Sequence, residues 1–533
     1  MGFSVRWFGV SVIAAACLLA AATGSAAAPS SAGATAAGQT FVYDSYTQVM
    51  INWDPATAYD QEQVALENMY ETLTSFNTKT QTIEPLLATS WKKSQGGKLW
   101  TFTLRRGVRF HTGRPFNAQA AKAAILRMKK LNQAAAYAWA AVKSITTPTP
   151  YTLALHLAYP QPMDLISSAQ YSAYMYDVKA SGTEDLAKWF GAGHDAGTGP
   201  YEVKTAAPGQ EVELTLKQFP GYWGGWHGKH YTNIVYRIVR QDSTAVQLVR
   251  SGQVSFVQQM SPQLWATVKG SPGLRTPTSS SFENLLLYLN TASGPLQSKA
   301  VRQAISDAID YNGIVTALKG AAIRQPGIIP TGLFGHSPTV PLHSYDVARA
   351  TQLLASAGFG PGKNKITLSM TYTQGDSNEQ LISTLIKSNL APLNIDLNVQ
   401  ALTTSTKYAK ARSTNPADRQ DMTFIYWYPD YPDPATWFIS LLHTQSPPSF
   451  NFAYYSNTTL DKQIDSIERI TASNPAQAKT IYRQMEMTVF NDVPIISLYT
   501  VEKQRIVLDS VQGYQDNPAY VDVVFVYKIH PKA

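Results

Sequence analysis

Residues 96–116 read GGKLWTFTLRRGVRFHTGRPF, and this segment gives the strongest indication of the fold. Trp100, Phe102 and Leu104 alternate with threonines, which is the period-two pattern of a half-buried β-strand. Glycines mark the turns on either side, and a polar loop leads to a helix predicted to start near Asn117. On physical grounds alone, the stretch predicts an antiparallel β unit followed by a helix.

Together with residues 84–91 (EPLLATSW), this stretch carries an extended residue pattern. The pattern is P-x-L-A-x-S-W followed by W-T-F-x-L-R-x-G-V-x-F-H-x-G-x-P-F. It resembles the extracytoplasmic solute-binding proteins of the peptide/nickel type, the "family five" receptors of ABC importers. Thr112 departs from the family pattern, in which Asp is frequent, but it keeps a hydroxyl group for the turn.

The resemblance continues from Thr40 to the C-terminus through several shorter matches in the same order as in the family. These matches are GTGPY at 197–201, FPGYWGG at 219–225, QLVRSGQV at 247–254, segments 284–290 and 301–310, and NDVPIISLY at 491–499. So many ordered matches make chance an unsatisfactory explanation of the similarity.

The resemblance implies an α/β protein with the two-lobed periplasmic-binding-protein-like fold of class II type. It also implies a hinge and an additional subdomain in the first lobe. We expect lobe I to comprise residues 40–285 plus 500–533, with the inserted subdomain at about 76–195. Lobe II is then expected at residues 286–499.

Local patterns along the chain predict further elements within these lobes. Residues 40–46 read as a first strand, and residues 61–73 have the apolar spacing of a helix. Asp346 is expected to cap a helix that runs to Ala357, with Gly358 following its end.

The amino-acid composition limits which kinds of function the protein can have. The chain has 533 residues, of which 44% are hydrophobic and 15% charged, enough for a large core and more than one domain. The formal net charge of +8 is spread along the chain, whereas a nucleic-acid binder usually concentrates its basic residues, so we expect no nucleic-acid partner. Cys17 is the only cysteine and lies in the predicted leader, which excludes disulfides and thiol chemistry from the mature protein.

The N-terminus predicts export. Residues 1–28 have a positive start, an uncharged apolar run and small residues, as in a secretory signal peptide, and residues 29–39 form an Ala/Ser/Gly-rich flexible linker. An alternative is that residues 14–17 (AAAC) act as a weak lipobox and Cys17 becomes lipidated. Either route places the protein in the periplasm or at the cell surface, on the outer face of the cytoplasmic membrane.

A second stretch, FIYWYPDYPDPATWF at residues 424–438, predicts a site. Phe424 to Tyr428 is an aromatic, β-prone run that reads as a buried strand, and three prolines between 429 and 434 end it abruptly. Aromatic rings next to a fixed carboxylate suit an organic cation or ammonium group. The alternative is an ordinary strand end, in which Asp430 and Asp433 accept hydrogen bonds from their own turn.

In the di- and oligopeptide receptors of the family, the corresponding pattern is W-x-x-D-x-x-[DE]-P. The resemblance implies that Asp430 grips the α-ammonium group of a peptide, while Asp433 is a turn residue. The cavity-lining candidates beside Asp430 are Tyr426, Trp427, Tyr428 and Tyr431, for which a core role is the alternative. An extended peptide would pair with exposed main chain at residues 424–428, and a segment near 46–51 is a second candidate.

One part of the family pattern is missing. Dipeptide receptors use an Arg in the loop after the strand at 366–372 to bind the ligand carboxylate, and residues 371–376 (TYTQGD) contain none. Arg324 and Arg412 are alternative partners, with no placement predicted from the sequence. Longer peptides or a different solute would also account for the gap.

The sequence leaves three functions open. The first is a non-enzymatic, monomeric receptor that binds di- or oligopeptides and delivers them to an ABC permease, with no cofactor. The second is the same scaffold with a non-peptide solute such as an oligosaccharide, a metal chelate, haem or another amine. The third is an exported hydrolase or chaperone, although no G-x-S-x-G motif, P-loop or dinucleotide fingerprint occurs. His227 and His230 are a weak candidate metal pair without an evident third ligand.

Overall fold

The computed structural model describes residues 40–532 except 78, 79, 81, 211 and 521. The predicted signal peptide at 1–28, the linker at 29–39 and Cys17 lie outside the described residues, so export and lipidation stay predictions. Among the described residues, no helix is both long and apolar enough to cross a membrane.

The first lobe is built on a seven-stranded mixed sheet. The strands of the protein are numbered in chain order, and the spatial order across this sheet is β12 (Leu274–Arg275), β19 (Ile506–Leu508), β11 (Phe256–Val257), β1 (Thr40–Ser45), β10 (Asn233–Ile238), β9 (Leu214–Gln218) and β8 (Tyr201–Thr205). The central strand β1 pairs in parallel with β10 and β11. Its Phe41 and Tyr43 are fully buried in the core, as the predicted first strand requires.

A separate four-stranded antiparallel sheet extends the first lobe. Its strands in spatial order are β4 (Ala88–Ser94), β5 (Leu99–Leu104), β7 (Thr152–Leu157) and β6 (Val142–Thr149). The predicted hairpin is confirmed, since β4 pairs antiparallel with β5. The predicted helix start is confirmed as well, because Asn117 caps the helix Ala118–Leu131 by accepting a hydrogen bond from the Ala120 amide at 3.0 Å.

The second lobe is built on a six-stranded sheet. Its strands in spatial order are β14 (Ala322–Ile323), β18 (Ile495–Gln504), β13 (Thr278–Leu289), β17 (Met422–Trp427), β15 (Ile366–Thr373) and β16 (Ile395–Leu402). Two smaller pairings are β2 (Thr74–Asn77) with β3 (Thr82–Pro85), and β20 (Val511–Gln512) with β21 (His530–Pro531). Apolar helices cover both faces of the six-stranded sheet and bury its long strands.

The helices cover these sheets. Those between β1 and β13 in the chain are Gln63–Met69, Ala118–Leu131, Met163–Ile166, Leu186–Gly191, Asp242–Arg250 and Pro262–Val268. Those after β13 are Lys299–Ala308, Tyr311–Ala317, Val347–Ser356, Ser377–Leu390, Thr404–Ala411, Ala435–Leu441, Thr458–Ser473 and Pro475–Asp492. Asp346 caps Val347–Ser356 as predicted, since its carboxylate accepts from the Arg349 amide at 2.8 Å.

The chain passes between the two sheets at two short crossovers that form the hinge. One crossover joins β12 to β13 at residues 276 and 277, and the other joins β18 to β19 at Arg505. The Arg505 amide donates to the Pro277 carbonyl at 3.1 Å, so the two crossovers lie side by side. The predicted boundaries at 285/286 and 499/500 fall inside β13 and β18, and the domain limits stay a prediction.

The glycines of the GTGPY segment are required by a close backbone approach. A Cβ atom on Gly197 would lie 1.9 Å from the Met69 carbonyl oxygen, and one on Gly199 would lie 2.6 Å from the Met69 carbonyl carbon. The Gly199 amide donates to the same Met69 carbonyl at 2.9 Å. This segment is therefore pressed directly onto the end of the helix Gln63–Met69.

Replacing Gly197 by alanine should lower the free energy of unfolding by about 3 kcal/mol, because neither backbone segment can move away without losing that packing. Gly191→Ala is the matched control, since a Cβ atom there meets nothing within 4 Å. Urea denaturation of the two variants measures the difference. Equal stability of both variants would contradict the close approach.

Candidate functional site

A cavity walled by both lobes lies between them. The first lobe contributes Tyr59, Asp60 and Tyr171 to its wall, and the second lobe contributes Glu283 and Lys407 among others. Main chain and side chains of residues 425–428 form one side of the wall. A cleft walled by both lobes is suited to a ligand that contacts both of them.

Strand β17 and the proline loop after it deliver the predicted site residues to this cavity. Tyr426 and Trp427 end the strand, and Tyr428 and Asp430 follow in the loop, so all four line the cavity. The Tyr428 ring stacks on Tyr171 of the first lobe with ring centroids 6.2 Å apart. The proline loop ends ladder pairing at this point and turns the chain across the cleft.

Asp430 is a buried carboxyl group in contact with both lobes. Its Oδ2 accepts a hydrogen bond from the Tyr137 hydroxyl at 2.5 Å and a long one from the Ser440 hydroxyl at 3.5 Å. Its main-chain carbonyl accepts from the Gln170 amide at 3.2 Å. Tyr137 and Gln170 precede the hinge in the chain and Ser440 follows it, so Asp430 is fixed where the lobes meet.

The Asp430 carboxyl group has no cationic partner among the described residues. Burial raises its pKa to about 7, and the hydrogen bonds from Tyr137 and Ser440 only partly oppose that effect. A positive group entering the cavity would favour the charged carboxylate and lower this pKa. The group is therefore suited to hold an ammonium ion, with the aromatic rings of residues 426–428 beside it.

The main chain of β17 offers an open edge beside Asp430. Strand β13 pairs with β17 along its whole length, from Asn284 opposite Trp427 to Leu289 opposite Met422. On its other side, β15 pairs only with Met422 and Thr423. In the described part of the chain, no strand pairs with that side of residues 424–427, but the Phe424 carbonyl accepts a hydrogen bond from Lys407, so residues 425–427 are the part available to an extended ligand.

Tyr431 is the predicted lining residue that the structure does not bring to the cavity. Its ring is buried in the core of the first lobe, and its hydroxyl donates to Glu468. This packing turns the side chain away from the cavity wall, so we correct its placement from the cavity to the core. Asp433 has the expected turn role, because it accepts from the Ala435 amide at 2.8 Å and the Tyr482 hydroxyl at 2.9 Å.

Arg324 and Arg412, the two candidate partners for a ligand carboxylate, both bind other groups of the protein. Arg324 donates to Asn312 at 2.9 Å and to the His343 carbonyl, away from the cleft. Arg412 donates to the Ser449 carbonyl at 2.9 Å, and its guanidinium group lies over the Phe450 ring. Neither side chain lines the cavity.

Lys407 is the cation on the cavity wall, and its ammonium group is already occupied. It donates to the Thr373 hydroxyl at 2.6 Å and the Phe424 carbonyl at 3.0 Å, and it lies 3.6 Å from a Glu379 oxygen. These three partners match the three N–H groups of a lysine. Lys407 therefore links Thr373, Phe424 and Glu379 and offers no free charge to a ligand carboxylate.

Sequence reasoning missed the wall residues that come from distant segments, namely Tyr59, Asp60, Tyr171, Glu283, Glu379 and Lys407. A pair of acidic residues at 60 and 62 within a polar segment was the one signal that could have drawn attention to Asp60. In the weak histidine pair, the His230 ring stacks on Tyr527 and its Nε2 contacts the His227 carbonyl. No group of three metal-binding side chains occurs in the described ranges.

Comparisons with known proteins agree with this geometry. The chain is 26% identical over 478 residues to the "Probable D,D-dipeptide-binding periplasmic protein DdpA" of Escherichia coli K12, covering 87% of this chain and 89% of the relative. The Helicobacter pylori periplasmic binding protein DppA in complex with the peptide STSA has a similar fold, with a TM-score of 0.81, 21% identity and coverage of 93% and 98%. The Agrobacterium tumefaciens protein MoaA in complex with mannopinic acid gives a TM-score of 0.82, 20% identity and coverage of 93% and 100%.

The family itself is identified by its sequence profile. The profile described as "Bacterial extracellular solute-binding proteins, family 5 Middle" matches residues 82–449, more than half of the chain. The matched range includes the hairpin of the first lobe, β17 and Asp430. The chain therefore belongs to the family 5 bacterial extracellular solute-binding proteins.

Proposed function

We propose that this protein is the extracytoplasmic receptor of an ABC importer that binds di- or oligopeptides between its lobes and delivers them to a membrane permease. The observation that carries the proposal is Asp430, a buried carboxyl group at the wall of the interlobe cavity that has no cationic partner among the residues described and lies beside an open strand edge. The peptide-binding relatives support it. The receptor is exported, acts as a monomer and changes no bond in its solute.

In this mechanism the α-ammonium group of the peptide pairs with the Asp430 carboxylate. The peptide main chain adds to the open side of β17 at residues 425–427, and this pairing does not depend on the side chains of the peptide. The ligand then contacts both lobes and stabilises the closed arrangement, which the permease recognises. The free energy by which the ligand stabilises the closed form equals the difference between its binding free energies for the closed and open forms.

The affinity for a peptide with a free amino terminus should depend on pH. The pKa of Asp430 is raised to about 7 without ligand, so a proton competes with the ammonium group below that pH. The dissociation constant should increase roughly tenfold per pH unit between pH 7 and 5, and again above about pH 8, where the peptide amine loses its proton. Calorimetric titration from pH 5 to 9 measures the dissociation constant on both the acidic and the basic side. A dissociation constant that does not change with pH would contradict the pairing of the peptide ammonium group with Asp430.

Small-angle X-ray scattering tests the receptor mechanism. Saturation with a mixture of peptides of two to eight residues should reduce the radius of gyration, because closure brings the lobes together. A mixture of the same peptides with acetylated amino termini is the control and should leave the open population unchanged. Binding without any compaction would contradict closure as the signal to the permease.

A second candidate keeps the scaffold and changes the solute to a non-peptide, such as an oligosaccharide, a metal chelate, haem or another amine. The observation that favours it is that Lys407, the one cation of the cavity wall in the described part of the chain, is already bound to its own partners and offers no free charge to a peptide carboxylate. The mannopinic acid complex of a similar fold supports this alternative. Thermal-shift screening with sugars, chelates and amines beside peptides distinguishes the two solute classes.

A further inference from the structure

The cavity wall carries more negative than positive groups. Five carboxyl side chains line it, from Asp60, Glu283, Glu379, Asp430 and Asp522, against a single cation, Lys407. Glu379 lies beside Lys407, and Asp522 forms an ion pair with Arg505. Among the described residues, the remaining three carboxyl groups form no ion pair within 4 Å.

Asp60 is the least satisfied of these groups. Its Oδ1 accepts from the Gln61 amide at 2.8 Å, whereas its Oδ2 is buried and has no hydrogen-bond partner within the described part of the chain. Burial raises the pKa of Asp60 to about 6. A buried carboxylate oxygen without a partner is costly, and a ligand donor would remove that cost.

The rings beside Asp60 already hold a cation of the protein, because the Arg412 guanidinium group lies 5.9 Å from the ring centroid of Tyr59, 5.5 Å from that of Tyr408 and 5.0 Å from that of Phe450. The ring of Tyr59 lies 5.7 Å from the ring of Phe450 and 6.4 Å from that of Tyr408, measured between centroids, and all three rings line the cavity. Trp427 adds an indole, more than nine-tenths buried, whose N–H lacks a partner among the described residues. A ligand cation would therefore be held by Asp60 Oδ2, unpartnered in the described ranges, and not by these ring faces.

Glu283 differs from Asp60 and Asp430. Burial and the neighbouring Asp522 carboxylate raise its pKa to about 8, although Lys503 and Arg505 oppose the shift. Glu283 therefore belongs to a cluster of charged groups of the protein, which leaves Asp60 and Asp430 as the candidates to hold positive groups of a solute.

We propose that the solute carries at least two positive groups, an ammonium group held by Asp430 and a second ammonium or guanidinium group held by Asp60, and that it places no carboxylate inside the cavity. This inference rests on the proposed function and deepens it. The solute class is then a peptide with a basic side chain near its amino terminus, whose carboxyl end is outside the cavity or blocked.

Calorimetric titration with matched tetrapeptides tests the inference. Each peptide has a free amino terminus and an amidated carboxyl end, with either arginine or its neutral isostere citrulline at position 2, 3 or 4. For one of the three positions, we expect the arginine peptide to bind at least 30-fold more tightly than the citrulline peptide substituted at the same position. In the Asp60→Asn variant, the ratio of the dissociation constants of the citrulline and arginine peptides should fall below three, while the affinity for the citrulline peptide stays the same.

Asp164→Asn is the control, because Asp164 is a partly buried carboxyl group outside the cavity and should leave the ratio unchanged. Equal binding of arginine and citrulline peptides to the unmodified protein would overturn the two-cation inference and leave the peptide function intact. Binding of the polyamine spermidine without any peptide would reject the peptide function and support the two-cation site. Absence of binding by all of these probes would overturn both.

Discussion

Replacing Asp430 by asparagine should weaken the binding of a peptide with a free amino terminus by about 100-fold or more. Asparagine keeps the shape of the side chain and an oxygen for the Tyr137 hydroxyl, so the variant removes the charge and little else. An ammonium group desolvated in the closed cleft without a counter-charge loses about 2–5 kcal/mol of interaction. Calorimetric titration of one tetrapeptide against both proteins measures the effect.

Two controls isolate the charge pair. The N-acetylated form of the same tetrapeptide should bind the original protein and the Asp430→Asn variant with equal, weak affinity. Asp433→Asn changes a buried carboxyl group three residues away whose partners are the Ala435 amide and the Tyr482 hydroxyl, and it should leave affinity within threefold. Equal loss of affinity in both variants would mean that Asp430 acts through the loop structure alone.

Replacing Arg505 by methionine should lower the free energy of unfolding by about 3–5 kcal/mol, the usual cost of removing one partner of a buried ion pair. Arg505 is almost fully buried at the second hinge crossover. Its guanidinium group donates to Asp516 at 3.0 Å, to Asp522 and to the Gln258 carbonyl at 2.5 Å. Methionine would leave buried Asp522 without a cation.

Urea denaturation compares this variant with Lys365→Met. Lys365 and Asp396 lie 3.2 Å apart, but the two side chains are 57% and 45% exposed, so this pair should contribute less than about 1 kcal/mol. A loss of similar size in both variants would contradict the structural role of Arg505. Because Arg505 connects the two lobes, its variant is also expected to weaken ligand binding.

The parts of the fold predicted from sequence are those with strong local signals. The alternation of Trp100, Phe102 and Leu104 correctly indicated the hairpin, and Asn117 and Asp346 marked helix starts through their side-chain caps. The predicted helix over residues 61–73 is shorter, at Gln63–Met69. It ends early because Tyr70 is extended and Glu71 forms a β-bridge with Met175, a tertiary contact without a local signal.

In the candidate site too, the residues predicted correctly are those with a local sequence signal. Tyr426, Trp427, Tyr428 and Asp430 come from one continuous stretch with a proline-rich end, so a local pattern was enough to group them. Tyr431 belongs to the same stretch but packs into the core, because its hydroxyl reaches Glu468 on a distant helix. Asp60 and Lys407 are more than 300 residues apart in sequence, and only the meeting of the two lobes places them in one cavity.

Native mass spectrometry of the gently purified protein, followed by mild denaturation to release its cargo, is the direct test of the peptide function. We expect a set of short-peptide masses that the original protein retains and the Asp430→Asn variant loses. A single non-peptide mass retained equally by both proteins would contradict the peptide function and the ammonium role of Asp430.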